Sequence, residues 1–367
     1  MSDPVALLKD LVAFRSDFAG DEAPIADHLA LLLRARGADE IIRGTAPRAD
    51  GKPSQWVWAR FGRPRLLVNA HLDTVPPNAG WSGDPFTARV DGDRLMALGA
   101  ADTKGAAAAI LAALDDQTPR DLGVLFSGDE ERGTMAIRHF LATGLAKGVE
   151  RAVVCEPTSL RVGTRHRGIV SFEAVAQSPG GHSSMADALP SPVADLARLA
   201  VALDDWGRAR RGLGPPGFTG LCLNVAKLDG GVAFNVIPTS ACLSVSLRPP
   251  PGADAAALRA EIVEIVTKAA PGASLRFLLD NVPFQTREPA RFVQLLGAAA
   301  LAPIDLAFWT EAAILMQAGI DAVVFGPGDI ALAHGPDEWV PMTELQIAKE
   351  MFRQLFAATH GEADGAR

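Results

Sequence analysis

"RLLVNAHLDTVPP", residues 65–77, decides how the chain is read. A nearly continuous apolar run from Leu66 to Ala70 leads into His71, Leu72 and Asp73, and Pro76 and Pro77 then rule out a helical continuation. An apolar run of this length is what a strand buried on both faces of an α/β sheet looks like. The His-x-Asp at its end is a metal ligand with its orienting partner, half of a catalytic triad, or a polar lip on a loop.

Working outward, "LGVLFSGDE" from Leu122 and "RAVVCEP" from Arg151 repeat the pattern, and "QWVWARF" (55–61) and "DAVVFGPGD" (321–329) add further strands. Helical spacing predicts a helix over Pro4–Phe14 with Ser2 or Asp3 as N-cap, and another over Ala23–Arg36 that Gly37 ends. The Ala-rich "TKGAAAAILAALDD" (103–116) is the covering helix, and further helices start at Arg291 and Thr343. From about Gly168 the texture changes. "GIVSFEAVAQ" alternates like a half-exposed strand, "SPVADLARLAVALDDW" is an amphipathic helix, and after the loop "RGLGPPGFTG" come two strands and the helix "DAAALRAEIVEIVTKAA". This β-α-β-β-α order predicts helices on a small antiparallel sheet, inserted into the larger domain as a lid or dimerisation module.

Composition agrees with two domains, because 367 residues exceed the roughly 250–300 that one core usually serves. With 48% hydrophobic and 21% charged residues the chain is globular, and a net charge of -8 with only the short basic stretch Arg208, Arg210, Arg211 excludes a nucleic-acid surface. The three cysteines Cys155, Cys222 and Cys242 sit in apolar runs and read as buried thiols. The start carries no basic n-region, and no apolar run approaches the ~18 residues that span a bilayer, so an intracellular, cytoplasmic protein without a membrane partner is expected.

The polar residues that carry chemistry gather where strands end. His71 and Asp73 end one, Asp102 precedes a helix in "GAADTKG", Asp129, Glu130 and Glu131 end another, Glu156 the next, and His334 lies near the C-terminus in "ALAHGPDEW". Ligands bind beyond the carboxyl ends of the strands in open α/β sheets, and carboxylates converging there repel unless a cation neutralises them. Two imidazoles and three carboxylates suit a zinc-type pair of ions, for which Glu130, beside a ligand but not needed as one, is the base. Asp73 then orients the His71 ring. Each residue alone has a blander reading, such as a capped turn for His-x-Asp or a solvated loop for Glu130 and Glu131; their recurrence at successive strand ends is the argument. Of the seven histidines, His28, His139 and His360 read as surface or packing residues, and His166 stays undecided.

"HLDTVP", "GAADTKG", "SGDEERG", "CEPT", "GGHSS", "FNVIP" and "AHGPDE" resemble, in order, the motifs of the di-zinc deacylase and peptidase family that includes acetylornithine deacetylase and succinyl-diaminopimelate desuccinylase. The resemblance implies a mixed-sheet α/β/α catalytic domain, residues 1–165 and 280–367, with an inserted ferredoxin-like α+β domain, residues 166–279. It implies two zinc ions, with cobalt or manganese as substitutes, one held by His71, Asp102 and Glu156 and the other by Asp102, Glu131 and His334. Glu130 corresponds to the general base, Asp73 to the residue orienting His71, and His182 to an oxyanion-stabilising histidine that crosses to a neighbouring subunit, hence a homodimer. Asn235 and Arg248 correspond to residues that grip a substrate carboxylate; Arg167 and Thr310 correspond to further substrate contacts, against a helix cap for Thr310. The wording "TEA" and "FGPGD…AHGPDE" points to N-acetylornithine or N-acetylcitrulline, in arginine biosynthesis, ahead of succinyl-diaminopimelate, a broad aminoacylase or a carboxypeptidase. Trp309, where a glycine is usual, and Gly335 depart from that pattern, and Glu311 either pairs with an ornithine ammonium or faces solvent. A serine-hydrolase reading of "GHSSM", with Ser183 or Ser184 attacking, fails on Met185 where the elbow needs glycine.

Overall fold

The computed structural model describes residues 2–48, 51–114, 119–297 and 301–358, in two units. The first unit comprises Met1–Thr164, Thr286–Ile304 and Thr310–Arg367. Seven strands of its sheet are β1 (Glu40–Ala46), β2 (Ser54–Gly62), β3 (Leu66–His71), β4 (Asp121–Ser127), β5 (Arg151–Val154), β6 (Arg161–His166) and β7 (Asp321–Val324), in the order β1-β2-β4-β3-β5-β7-β6, and the short strands Phe284–Gln285 and Leu301–Leu306 also pair with β6. The central strands β4, β3, β5 and β7 are parallel, while β1, β2 and β6 pair antiparallel. Every residue of β3, β5 and β7 is buried, which is why their sequences show no alternation. Four strands that run one way end at one edge, and that edge carries the polar residues.

Helices α1 (Pro4–Val12), α2 (Ala23–Ala35), α3 (Gly105–Leu114) and α4 (Met342–Ala358) supply most of the covering core. Asp3 caps α1, its carboxylate accepting the Val5 N–H at 3.1 Å. All of α3 is buried, as an Ala- and Leu-rich helix with no polar face must be, and it shares its cluster with Leu8 and Leu11 of α1 and Phe352 and Phe356 of α4. It starts at Gly105 rather than Thr103, because Asp102 (φ -119°, ψ 89°) and Thr103 leave helical geometry. The structure adds β1, β6 and a ribbon of Arg89–Asp91, Arg94–Met96 and Trp339–Pro341 to the expected strands. These strands are partly exposed and polar, and β1 lies at the sheet edge, where a long apolar strand would invite aggregation.

The second unit, Arg165–Gln285 with Asp305–Trp309, holds an antiparallel sheet in the order Asn224–Gly230, Ser240–Leu247, Ile169–Gln177, Ser274–Asn281. Helices Pro192–Ala209 and Ala255–Ala269 complete the ferredoxin-like arrangement, and Ser274–Asn281 is a fourth strand beyond the expected β-α-β-β-α order. Val170, Phe172, Ala174 and Ala176 alternate into a core with Leu196, Leu199, Leu203, Ile262 and Val266. Each fully buried large side chain there contributes about 1.5–3 kcal/mol. His166 is a packing residue of this unit: its ring lies 4.9 Å from Phe284 and 6.1 Å from Trp309, and Nδ1 bonds the Arg167 carbonyl at 2.9 Å. Trp309 in turn donates to the Val282 carbonyl at 3.1 Å.

Among the remaining expectations, His28 pairs with Asp10 at 3.2 Å and His139 accepts the Trp56 indole N–H at 3.1 Å. His360 lies outside the described residues. Cys155 is buried, but Cys222 is exposed: it precedes its strand and takes a positive φ of 47°. Among the described residues no helix is long and apolar enough to cross a membrane.

Candidate metal centre and active site

The site begins with the ring of His71 at the end of β3. Its Nδ1–H donates to the main-chain carbonyl of Asp73 at 2.9 Å, which presents Nε2 to Asp102 Oδ1 at 2.8 Å. The other Asp102 oxygen lies 3.4 Å from His334 Nε2, and His334 Nε2 lies 2.9 Å from Glu131 Oε1. His71, Asp102 and Glu131 each offer a ligand atom within 4.8 Å of the others. Asp102 therefore joins two imidazoles and stands in the middle of the cluster.

Asp73 does more than the His-x-Asp spacing suggests, and by a different atom. Its carboxylate lies 3.6 Å from Nδ1 and reaches the ring as a charge, while the hydrogen bond comes from its carbonyl. Both carboxylate oxygens instead accept backbone N–H groups, of Glu130 and of Glu131, each at 3.1 Å. Asp129 explains the arrangement: its positive φ of 67° turns the chain sharply after β4, and the N–H groups of the turn find no partner in the sheet. One buried aspartate thus sets the first histidine and the two glutamates together.

Charge shows what the cluster lacks. Burial, reinforced by Asp102, Glu130 and Glu131 and opposed by His71, raises the Glu156 carboxyl well above its usual range. Glu130 is raised well above it too, by burial first, with Glu131, Glu311 and Asp73 adding and His71 opposing. Burial disfavours a charged His71, yet the Asp102 and Asp73 carboxylates beside the ring and the charge of Glu156 outweigh it and raise the ring well above an ordinary imidazole. Hydrogen bonds to Asp102 and Glu131 lift His334 to about 10. Carboxyls and imidazoles that hold onto protons in one pocket mark an excess of negative charge, which divalent cations would neutralise. The oxygen and imidazole donors fit zinc, and His71, Asp102, Glu131, Glu156 and His334 would hold it.

Glu311 is a buried acid, not a solvent-facing one, at 1% exposure. Its Oε2 accepts the Ser127 hydroxyl at 2.6 Å, and Ser127 Oγ in turn accepts Asn69 Nδ2–H at 2.8 Å. Burial raises Glu311 from 4.5 to about 7, against the Ser127 bond. The folded protein thus binds a proton there more tightly than the unfolded chain. That stability is fully present below about pH 4.5 and lost as pH rises through about 7, up to about 3 kcal/mol. In chelated protein, Glu311→Gln is expected to gain on wild type by roughly 6–12 °C of melting temperature between pH 4.5 and 8, and a constant offset across that range would contradict the assignment.

The second unit carries the other expected residues. Gly181–His182 pairs with Val236–Ile237, so His182 and Asn235 share one exposed ribbon. His182 Nδ1 faces both the Ser184 N–H at 3.2 Å and its hydroxyl at 2.9 Å, which makes Nδ1 the acceptor and leaves Nε2–H outward. Ser183–Met185 forms a 3-10 turn after a two-residue strand, not the strand-to-helix elbow of a serine hydrolase. Arg167 donates to the carbonyls of Gly220 at 2.6 Å, Thr219 at 2.9 Å and Arg248 at 3.0 Å, clamping the Gly/Pro loop, whereas Arg248 is exposed. In the first unit, Thr310 is buried and its Oγ1 accepts the Ala312 N–H at 3.3 Å, just before the helix Ala312–Gln317, whose N-cap is Glu311. Asn69 and Ser127 escaped the sequence reading, although a lone amide inside an apolar strand was a signal for Asn69.

Residues 67–358 match the family described as Peptidase family M20/M25/M40. N-acetyl-L-citrulline deacetylase of Xanthomonas campestris pv. campestris is 34% identical over 351 residues, covering 92% of this chain and 92% of that protein. Acetylornithine deacetylase of Myxococcus xanthus is 31% identical over 360 residues, 93% of each. Among solved structures, an M20 family metallo-carboxypeptidase from Sulfolobus solfataricus aligns with a TM-score of 0.76 at 18% identity, covering 98% of this chain and 100% of its own.

Proposed function

Because the chain belongs to Peptidase family M20/M25/M40 and is a hydrolase of amide bonds, we propose that its substrate is an N-acetylated amino acid, N-acetylcitrulline ahead of N-acetylornithine. The observation that carries the chemistry is the line His71, Asp102, His334, Glu131, with Glu130 held beside it through the Asp73 carboxylate. When bound, a pair of zinc ions would polarise the acyl carbonyl and lower the pKa of water. Glu130 takes a proton from the attacking water and returns it to the departing nitrogen. A C–O bond forms, the amide C–N bond breaks, and a carboxylate and a free amine leave. The outward Nε2–H of His182 is a donor for the developing oxyanion, and the Arg248 guanidinium suits the substrate's α-carboxylate.

We assign His182 its role across a homodimer of a cytoplasmic enzyme of arginine biosynthesis. Val232 and Phe234, on the ribbon's approach, are almost wholly exposed, as residues that a partner covers would be. The preference for a neutral side chain is argued from Glu311, which is 1% exposed and whose Oε2 is committed to the Ser127 hydroxyl. Released amine, measured for N-acetylcitrulline, N-acetylornithine, N-succinyl-diaminopimelate and a dipeptide, is expected to give the first a kcat/KM at least about tenfold above the others. A dipeptide preferred over every acyl-amino acid would make the enzyme a peptidase instead.

A further inference from the structure

Glu338 is a carboxylate at 2% exposure that none of the chemistry above uses. It follows the turn that carries His334, yet its bonds go to another segment. Oε2 accepts the Gly99 N–H at 3.0 Å, and Oε1 accepts those of Ala101 at 2.8 Å and Asp102 at 3.1 Å. Those donors belong to the irregular turn that presents Asp102, entered through Gly99 at φ 77°, where no helix would satisfy them. Lys104, next in the chain after that turn, is buried too, and its ammonium donates to the Phe14 carbonyl at 2.9 Å.

Neighbouring contacts repeat the same tie. Ala97 N–H bonds the Glu338 carbonyl at 3.0 Å, and Trp339–Pro341 pairs with Arg94–Met96. Asp337 Oδ1 accepts the Ser82 N–H at 3.0 Å, the Ser82 hydroxyl at 2.9 Å and Arg89 Nη2–H at 2.8 Å, while Asn78 Nδ2 donates to the His334 carbonyl. Residues 78–102 and 334–341 are therefore laced into one body, with Glu338 at the end nearest Asp102. Asp102 and His334, 3.4 Å apart, stand on its two strips.

We propose that Glu338 is a positioning residue that fixes the spacing of Asp102 and His334, and through it the affinity of the metal position formed by Asp102, Glu131 and His334. The inference rests on the metal-pair reading of the site. It makes the two positions unequal: Asp102 is common to both, but the second also takes His334 from the laced body, whereas His71 at the end of β3 and Glu156 just beyond β5 lie outside it.

The test is a cobalt(II) titration of chelated protein, followed by visible absorbance and calorimetry, on wild type, Glu338→Gln and Glu338→Asp. In the glutamine variant one oxygen can still serve Ala101 and Asp102, but the amide turns a donor toward Gly99. The expected result is two ions on wild type, and in Glu338→Gln the ion at the His334 position weakened 10- to 100-fold and the other, which shares only Asp102 with the laced body, weakened less. Turnover falls in kcat with KM little changed, and Glu338→Asp, which keeps the charge, recovers part of the second affinity. Should the glutamine variant not fold, Glu338→Asp must still weaken the ion at the His334 position more than the other. Two ions with wild-type affinities in either folded variant, or equal weakening of both ions, overturns the proposal. No cobalt bound to wild type overturns the metal-pair reading instead.

Discussion

Glu130→Gln is expected to lower kcat by roughly 10²- to 10⁴-fold, the usual contribution of a positioned general base, while metal content stays at the wild-type level. Glutamine preserves the length of the side chain and the backbone N–H that Asp73 holds at 3.1 Å, so the turn and the adjoining ligand Glu131 keep their places. What it loses is a basic oxygen. A carboxylate can take a proton from water and later surrender it to the leaving nitrogen, and an amide does neither. KM should change little, because nothing in the proposed role binds the substrate more tightly in its ground state. A metal-replete Glu130→Gln enzyme turning over at the wild-type rate would remove Glu130 from the mechanism.

Chelation is expected to abolish turnover and to lower the melting temperature sharply. The reason is the crowd of Asp102, Glu130, Glu131 and Glu156, which the folded chain brings together and the unfolded chain disperses. An ion that binds only the folded protein stabilises it by about 4 kcal/mol when its free concentration is 1,000 times Kd. For a unit of this size that is roughly 8–16 °C per ion. Scanning calorimetry of chelated and zinc-loaded protein reads the effect directly. Superimposable melting curves would mean that the cluster is satisfied by protons alone.

The strand ends were readable because β3, β4, β5 and β7 are buried on both faces: their apolar runs stand out, and a polar residue closing such a run has little to do but serve a site. The atoms each residue uses were not readable. His-x-Asp spacing announces that Asp73 serves His71, but only the turn at Asp129 decides that the carbonyl meets the ring and the carboxylate meets the glutamate turn. Local pattern misled in two places. Thr103 and Lys104 continue the Ala-rich helix on paper, but the N–H groups before them are drawn to Glu338, more than 230 residues away. Cys222 sits in an apolar run yet precedes its strand, which begins at Asn224. The strand Ser274–Asn281 is mostly exposed, so its burial could not imprint the sequence as it did in Ile169–Gln177.

The most direct test is to restore zinc stepwise to chelated protein and follow amine release from N-acetylcitrulline at each addition. No turnover is expected without metal, and recovery should saturate near two ions per chain, while zinc-loaded Glu130→Gln stays roughly 10²- to 10⁴-fold below wild type. Full turnover of the chelated protein, or recovery in Glu130→Gln equal to wild type, would contradict the mechanism.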